Sequence, residues 1–261
     1  MKAHKAVVIQ EFTQQAQAYA ASPLIANPDR LAALVQAVRP RLGARVLDVA
    51  TGPGYVAAAF AEAGCEVVGL DLTPAPLALA EQMRQERGLS TLHFQQGDAE
   101  HLPFAAYTFE VVVSRYALHH CEEPRRVLGE MARVCQLQGT VVIQDLITSE
   151  FPARAAYQNH FEQLRDPSHT RALPLSELLA LFTACGLEVE QVVTDHLTQA
   201  LESWLENAHT PQEQASLVRE LVEQDERQDL SGTRPFRRQE AVYFYQRIVT
   251  VIARKLAHPA Q

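Results

Sequence analysis

A short apolar run, a glycine turn and a helical stretch follow one another at residues 45–63, and variants of that unit recur down the chain. Residues 45–50 (RVLDVA) run into Gly52 and Gly54; residues 55–63 (YVAAAFAEA) are Ala-rich and stop at Gly64. Residues 65–71 (CEVVGLD) read as a second strand, and Pro74 to Arg87 as a helix with Pro near its start and Gly88 past its end. Residues 91–96 and 109–114 (FEVVVS) give two more strands, the second continuous and apolar as buried parallel strands are. Residues 124–136 carry Val127, Leu128, Met131 and Val134 on one helical face, and residues 140–146 (TVVIQDL) form a fifth strand. Strands and helices alternating at this spacing predict an α/β fold with a doubly wound, mostly parallel sheet.

Past this unit, residues 175–185 read as a helix, 187–194 as a sixth strand, 199–227 as a polar helix and 241–254 as a last strand, seven strands in all. The chain reads as a single domain over 1–261. Residues 1–40 form an N-terminal arm, 41–147 the ligand-binding core, 148–175 an insertion after strand five, and 176–261 the rest of the sheet with added helices. Arms and insertions on such a scaffold cover the ligand crevice, so the insertion is expected to form a lid.

Composition narrows the partners. Lys+Arg 23 against Asp+Glu 31 leaves a formal charge of −8, which disfavours nucleic acid and anionic membrane as general partners. The run Arg234-Pro235-Phe236-Arg237-Arg238 is too short to reverse that, and the acids of 199–227 read as a solvated face. Cys65, Cys121, Cys135 and Cys185 form no CxxC pair, as expected of reduced thiols in a cytoplasmic protein. The apolar stretch after Met1 is too short for a signal peptide, and no apolar run is long enough to span a membrane. A monomer or homodimer is expected.

The glycine turn, Val46-Leu47-Asp48-Val49-Ala50-Thr51-Gly52-Pro53-Gly54, allows a ligand close to the backbone. Asp71, ending the second strand, is placed to reach the ribose hydroxyls of a nucleoside. Gly52-x-Gly54-x-x-Ala57 also satisfies a relaxed dinucleotide fingerprint, so an NAD(P)-dependent oxidoreductase is an alternative. Asp48 argues against it, because a carboxylate there suits a cation better than a pyrophosphate.

The segment resembles motif I of the class I S-adenosylmethionine (SAM)-dependent methyltransferases, with Ala50 in place of the motif's first glycine. Gly97-Asp98-Ala99-Glu100-His101-Leu102-Pro103-Phe104 resembles the family's segment after strand three; residues 109–120 resemble strand four and the turn behind it. Arg133-Val134 and Gly139-Thr140 resemble the passage into strand five, and Phe12 to Ser22 resembles the N-terminal arm of the ubiquinone/menaquinone-biosynthesis-like group. The resemblance implies a Rossmann-like fold of seven strands, the last antiparallel, with SAM as cofactor. It implies that Asp48, Ala50, Gly52 and Gly54 hold the methionine part, Asp71 and Leu72 the ribose, and Asp98 and Ala99 the adenine. Ser114 and Arg115 would line the cofactor behind strand four, and Tyr19 would fold over it unless it is simply core. The implied function is methyl transfer to an O, N or C nucleophile of a small molecule. A SAM-fold enzyme with a non-methylating reaction is the second alternative.

Methyl transfer needs alignment and, where the nucleophile holds a proton, a base. His120, at the carboxyl edge behind strand four, is the first candidate base; His169 on the insertion is the second. Tyr116, His119 and Arg171 are candidate acceptor-binding residues, Arg171 by pairing with a carboxylate or phenolate. Arg171 belongs to Arg165-Asp166-Pro167-Ser168-His169-Thr170-Arg171, a DPSH-x-R stretch shared with some members of the group. No metal is expected: His119-His120-Cys121-Glu122 are adjacent in sequence, and Asp145 has no matching acid pair.

Overall fold

Five parallel strands build the first half of the sheet: β1 (Arg45–Val49), β2 (Glu66–Asp71), β3 (Leu92–Gln96), β4 (Phe109–Arg115) and β5 (Cys135–Thr148). The structure is a computed structural model and describes residues 3–257. Two further long strands, β7 (Leu187–Ala200) and β9 (Ala241–Lys255), pair antiparallel, and β9 also runs antiparallel to β5. The order across the sheet is β3-β2-β1-β4-β5-β9-β7. The seven expected strands thus lie on one path, mostly parallel, with the last one antiparallel. Two short strands add to them: β6 (Leu173–Pro174) on β5 and β8 (Phe236–Arg238) on β9. Neither was expected, because two or three residues show no periodicity.

Helices cover both faces. One core layer packs Leu47, Val112 and Ile143 of the sheet against α5 (Pro124–Val134) and α7 (Leu175–Ala184). The other packs Val46, Val67 and Val113 against α2 (Pro28–Val38) and α3 (Tyr55–Glu62). These strand residues are 0–1% exposed, which explains their unbroken apolar runs. α2 starts on Asn27, whose side chain accepts from the Arg30 amide, with Pro28 at the first helical position. Because α2 joins the core, only α1 (Ala3–Ala21) is left of the expected arm; it lies against α4 (Pro74–Glu86).

The expected lid, residues 148–175, contains α6 (Pro152–Arg165), which is built into the fold. Phe161 of α6, Trp204 of α8 (Leu201–Asn207), Val218 of α9 (Gln212–Gln228) and Phe244 of β9 form a separate buried cluster. The single polar helix expected over 199–227 is therefore two, broken around Pro211 where the missing amide and fixed φ start a new helix. Among the described residues no helix is long and apolar enough to cross a membrane.

Candidate functional site

The carboxyl ends of β1, β2 and β4 meet where the strand order reverses, the place where open α/β sheets bind ligands. Two adjoining cavities open there. The first, about 1120 Å³ counted out to its mouth, lies between these strand ends and α1. The second, about 790 Å³, lies between α1, the turn Leu118–His120, α6 and α8. Phe12, Tyr19, Ile25, Tyr116 and His120 line both.

The glycine turn shapes the first cavity. Asp48 Oδ2 accepts from Thr51 Oγ1 at 2.5 Å and from the Ala57 amide at 3.1 Å. Burial pushes its carboxyl up to about 7, against the pull of Thr51 and Arg115. Ala50 sits at φ 56°, the left-handed region that glycine occupies without strain, and this is the position where the family motif has its first glycine. Asp71 Oδ2 accepts from the Gly52 amide at 2.8 Å and Oδ1 from the Thr73 amide at 2.8 Å, so each oxygen keeps accepting capacity toward the cavity.

Tyr19, Asp48, Ala50, Gly52, Asp71, Leu72, Asp98, Ala99 and Arg115 line this cavity, and so does Tyr116, the expected acceptor-binding residue. Gly54 and Ser114 stand apart from it. Gly54, at φ 82°, faces away: a Cβ there would lie 2.7 Å from the Phe94 ring and 2.9 Å from Ala80 Cβ. Its glycine is needed for helix-to-strand packing. Gly54→Ala is expected to cost about 2–4 kcal/mol of stability through overpacking and backbone strain. Gly52→Ala, at φ 54° with only Tyr19 Cε1 at 3.8 Å, carries the backbone strain without the overpacking, so it should cost less stability and weaken cofactor binding as well. Thermal melts and calorimetry on the two variants would separate these effects. Ser114 is buried within the sheet, opposite Ile143.

Asp98 lines the cavity, but its carboxylate is engaged. Lys5 Nζ of α1 donates to Asp98 Oδ2 at 2.5 Å and lies 2.9 Å from Glu100 Oε2. Asp98, Glu100 and His101 hold ligand atoms within 4.8 Å of one another, with the Lys5 ammonium as the cation already between two of them. α1 is further fixed by His4 Nε2 donating to the His120 carbonyl and by Tyr55 Oη donating to the Ala20 carbonyl. Sequence reasoning missed Lys5 and His4, since a lone Lys or His on a polar helix carries no local signal.

The second cavity gathers the histidines. His119 Nδ1 donates to Asp145 Oδ1 at 2.5 Å; Asp145 also accepts from the Leu118 and Leu146 amides. Burial works to lower the His119 pKa, but the Asp145 carboxylate overrides it and the net shift is upward. His120 stands 4.2 Å from His119 by ring centroids, with the Phe12 ring edge-on at 4.9 Å. Burial and the His119 cation hold His120 below the usual imidazole range. Asp145, considered from the sequence as a metal ligand, here serves as the partner of an imidazole.

His169 lines the cavity from the insertion, with its ring 5.4 Å from His119. Its Nε2 donates to Asn159 Oδ1, which also takes the Ala172 amide while Asn159 Nδ2 donates to the Ala172 carbonyl. This makes His169 a strut between α6 and its following loop. Arg171 points away from both cavities: it is exposed and bridges Glu177. The expected pairing with an acceptor is not formed: the Arg171 backbone stays against the His119 carbonyl while its side chain extends to solvent and Glu177. Glu162 and Arg165 of α6 were not foreseen. Glu162 accepts from Gln246, and the Arg165 guanidinium stacks 4.8 Å over the Trp204 ring.

Among the described residues three buried donors at these walls lack protein partners: Gln15 Nε2, Arg115 Nη1 and Tyr116 Oη. Arg115 Nη2 already donates to the Ile25 carbonyl at 2.6 Å. Tyr116 has φ 55°, a strained conformation for an aromatic residue, at the wall the cavities share.

The chain matches the methyltransferase-domain family over residues 47–143. It is 34% identical to the uncharacterized methyltransferase YcgJ of Bacillus subtilis (strain 168) over 77% of this chain and 79% of the relative. The crystal structure of YcgJ superposes with a TM-score of 0.82 at 29% identity, covering 88% of this chain and 99% of that one. A demethylmenaquinone methyltransferase of Renibacterium salmoninarum is 35% identical over 49% of this chain and 52% of its own length.

Proposed function

The chain belongs to the class I SAM-dependent methyltransferases, and from that premise we propose that the first cavity seats SAM and the second a small-molecule acceptor. The observation that carries this reading is the shared wall of Phe12, Tyr19, Tyr116 and His120, where contents of the two cavities meet. The residues fit the cofactor. Asp71 offers two oxygens to vicinal ribose hydroxyls, Leu72, Ala99 and Val127 an apolar seat for adenine, and orphaned Arg115 Nη1 a donor for the methionine carboxylate. Asp48, with its carboxyl near neutrality, would ionise beside an ammonium. Bound SAM supplies an electrophilic methyl group on a sulfonium. The protein aligns the acceptor with it and excludes water through α1, and His120 removes a proton at the shared wall.

The acceptor is a small molecule rather than a nucleic acid, since the chain carries a charge of −8 and the second cavity is walled by α1 and α6. Four free cysteines, two of them buried, fit a cytoplasmic setting. Calorimetry is expected to show micromolar binding of SAM and S-adenosylhomocysteine (SAH) and none of NADH. A panel of small acceptors should then yield SAH, with His120→Gln slowing turnover about 10²–10⁴-fold at unchanged SAM affinity. Binding of NADH without SAM would sink this reading.

A further inference from the structure

The Asp166-Pro167-Ser168-His169 stretch has no part in the cofactor geometry, yet its Asp166, Ser168 and His169 are buried beside the shared wall. Ser168 is fully buried, and the loop is hooked to the turn Leu118–His120 by the Thr170 amide and hydroxyl, both donating to the His119 carbonyl. Ser168 Oγ lies 2.5 Å from Asp166 Oδ1 and 3.0 Å from His120 Nδ1. Two oxygens come that close only with a proton between them. The Asp166 carboxylate accepts the Ser168 amide as well and faces Arg165 Nη1 at 3.7 Å, so it is ionised and has no proton to give. The single Ser168 proton therefore lies toward Asp166. Ser168 Oγ is left to accept, and His120 Nδ1 must donate to it. A neutral imidazole carries one N–H, so Nε2 of His120 presents a lone pair. No hydrogen bond to Nε2 is formed among the described residues, and His120 lines both cavities.

We propose that Asp166 and Ser168 are positioning residues that fix His120 as a proton acceptor on the shared wall, and that the acceptor substrate is a hydroxyl compound. The inference rests on the methyl-transfer reading above. As the acceptor oxygen attacks, its O–H proton passes to His120 Nε2, the C–O bond forms, and the C–S bond breaks with its electron pair staying on sulfur. Products are the methyl ether, SAH and a protonated His120, which Asp166 stabilises through Ser168. A neutral imidazole base matches this substrate class. A thioether or tertiary amine has no proton to lose, and a neutral amine attacks through its lone pair first.

The test is ¹⁵N NMR of histidine-labelled protein with SAH bound, the His120 signals being identified by their loss in His120→Gln. The expected wild-type spectrum at neutral pH shows Nδ1 protonated and Nε2 bare, the reverse of the form favoured in water. Ser168→Ala and Asp166→Asn should shift His120 toward Nε2–H. Both should lower kcat on hydroxyl acceptors by about tenfold or more with the KM for SAM unchanged. A wild-type His120 carrying its proton on Nε2 overturns the relay while leaving methyl transfer intact; this reading is made on the wild type and needs no acceptor, His120→Gln serving only to identify the signals. Turnover of carbon acceptors, amines or thioethers alone, with methyl ethers never formed from hydroxyl compounds, overturns the substrate class. Failure of the wild type to bind SAH overturns the methyl-transfer reading and the inference with it.

Discussion

Asp71→Ala is expected to weaken SAM and SAH binding by about 10–100-fold, the net loss of one hydrogen bond to a charged group at about 1.5–3 kcal/mol. The effect is large because the side chain holds both the turn and the ligand. One oxygen accepts the Gly52 amide, the other the Thr73 amide, and what remains of each faces the cavity. Burial raises the Asp71 pKa, which only partial bonding to amides would leave in place and further donors from a ribose would relieve. Asp71→Asn keeps the volume and one acceptor and should fall between the two. Calorimetry on the three proteins decides it: equal affinities would remove Asp71 from the cofactor site.

The second large effect falls on stability. Asp145→Asn breaks the buried pair with His119 and disturbs the bonds from the Leu118 and Leu146 amides; losing one partner of such a pair costs about 3–5 kcal/mol. In a domain of this size that is a fall of about 6–20 °C in Tm. The pH dependence has a definite sign. His119 is raised from its ordinary 6.5, burial being outweighed by Asp145, so its contribution is fully present below 6.5 and is lost as pH rises through the higher folded value. Asp145 is lowered from 3.8, burial again being outweighed, here by His119, so its contribution is present above 3.8 and is lost as pH falls through the lower folded value. The wild-type advantage over Asp145→Asn should therefore be widest between about pH 4 and 6.5 and shrink on either side. A gap between the two melting curves that does not change with pH would show that the pair is not ionised.

Most of the sheet and several residues lining the first cavity could be read from the chain. Apolar runs mark β1, β2 and β4, because a strand buried on both faces has no room for polar alternation. The left-handed backbone at Gly52 and the acid at the end of β2 are properties of a few neighbouring residues, so Asp48, Gly52 and Asp71 declare themselves locally. Even there, which glycine faces the first cavity and which faces Phe94 depended on how α4 and β3 pack.

The second cavity was decided by tertiary structure. His119 meets Asp145 across neighbouring strand ends, and Ser168 meets His120 only because α6 is anchored by Phe161 against Trp204 and Phe244. Those partners lie 26 and 48 residues apart, and no periodicity or turn chemistry links them. The same packing turned Arg171 to solvent and Lys5 onto Asp98. Backbone preference and burial pattern act over a turn or a strand and are written in the residues themselves. The meeting of distant side chains depends on how whole elements pack, and only the folded chain sets that.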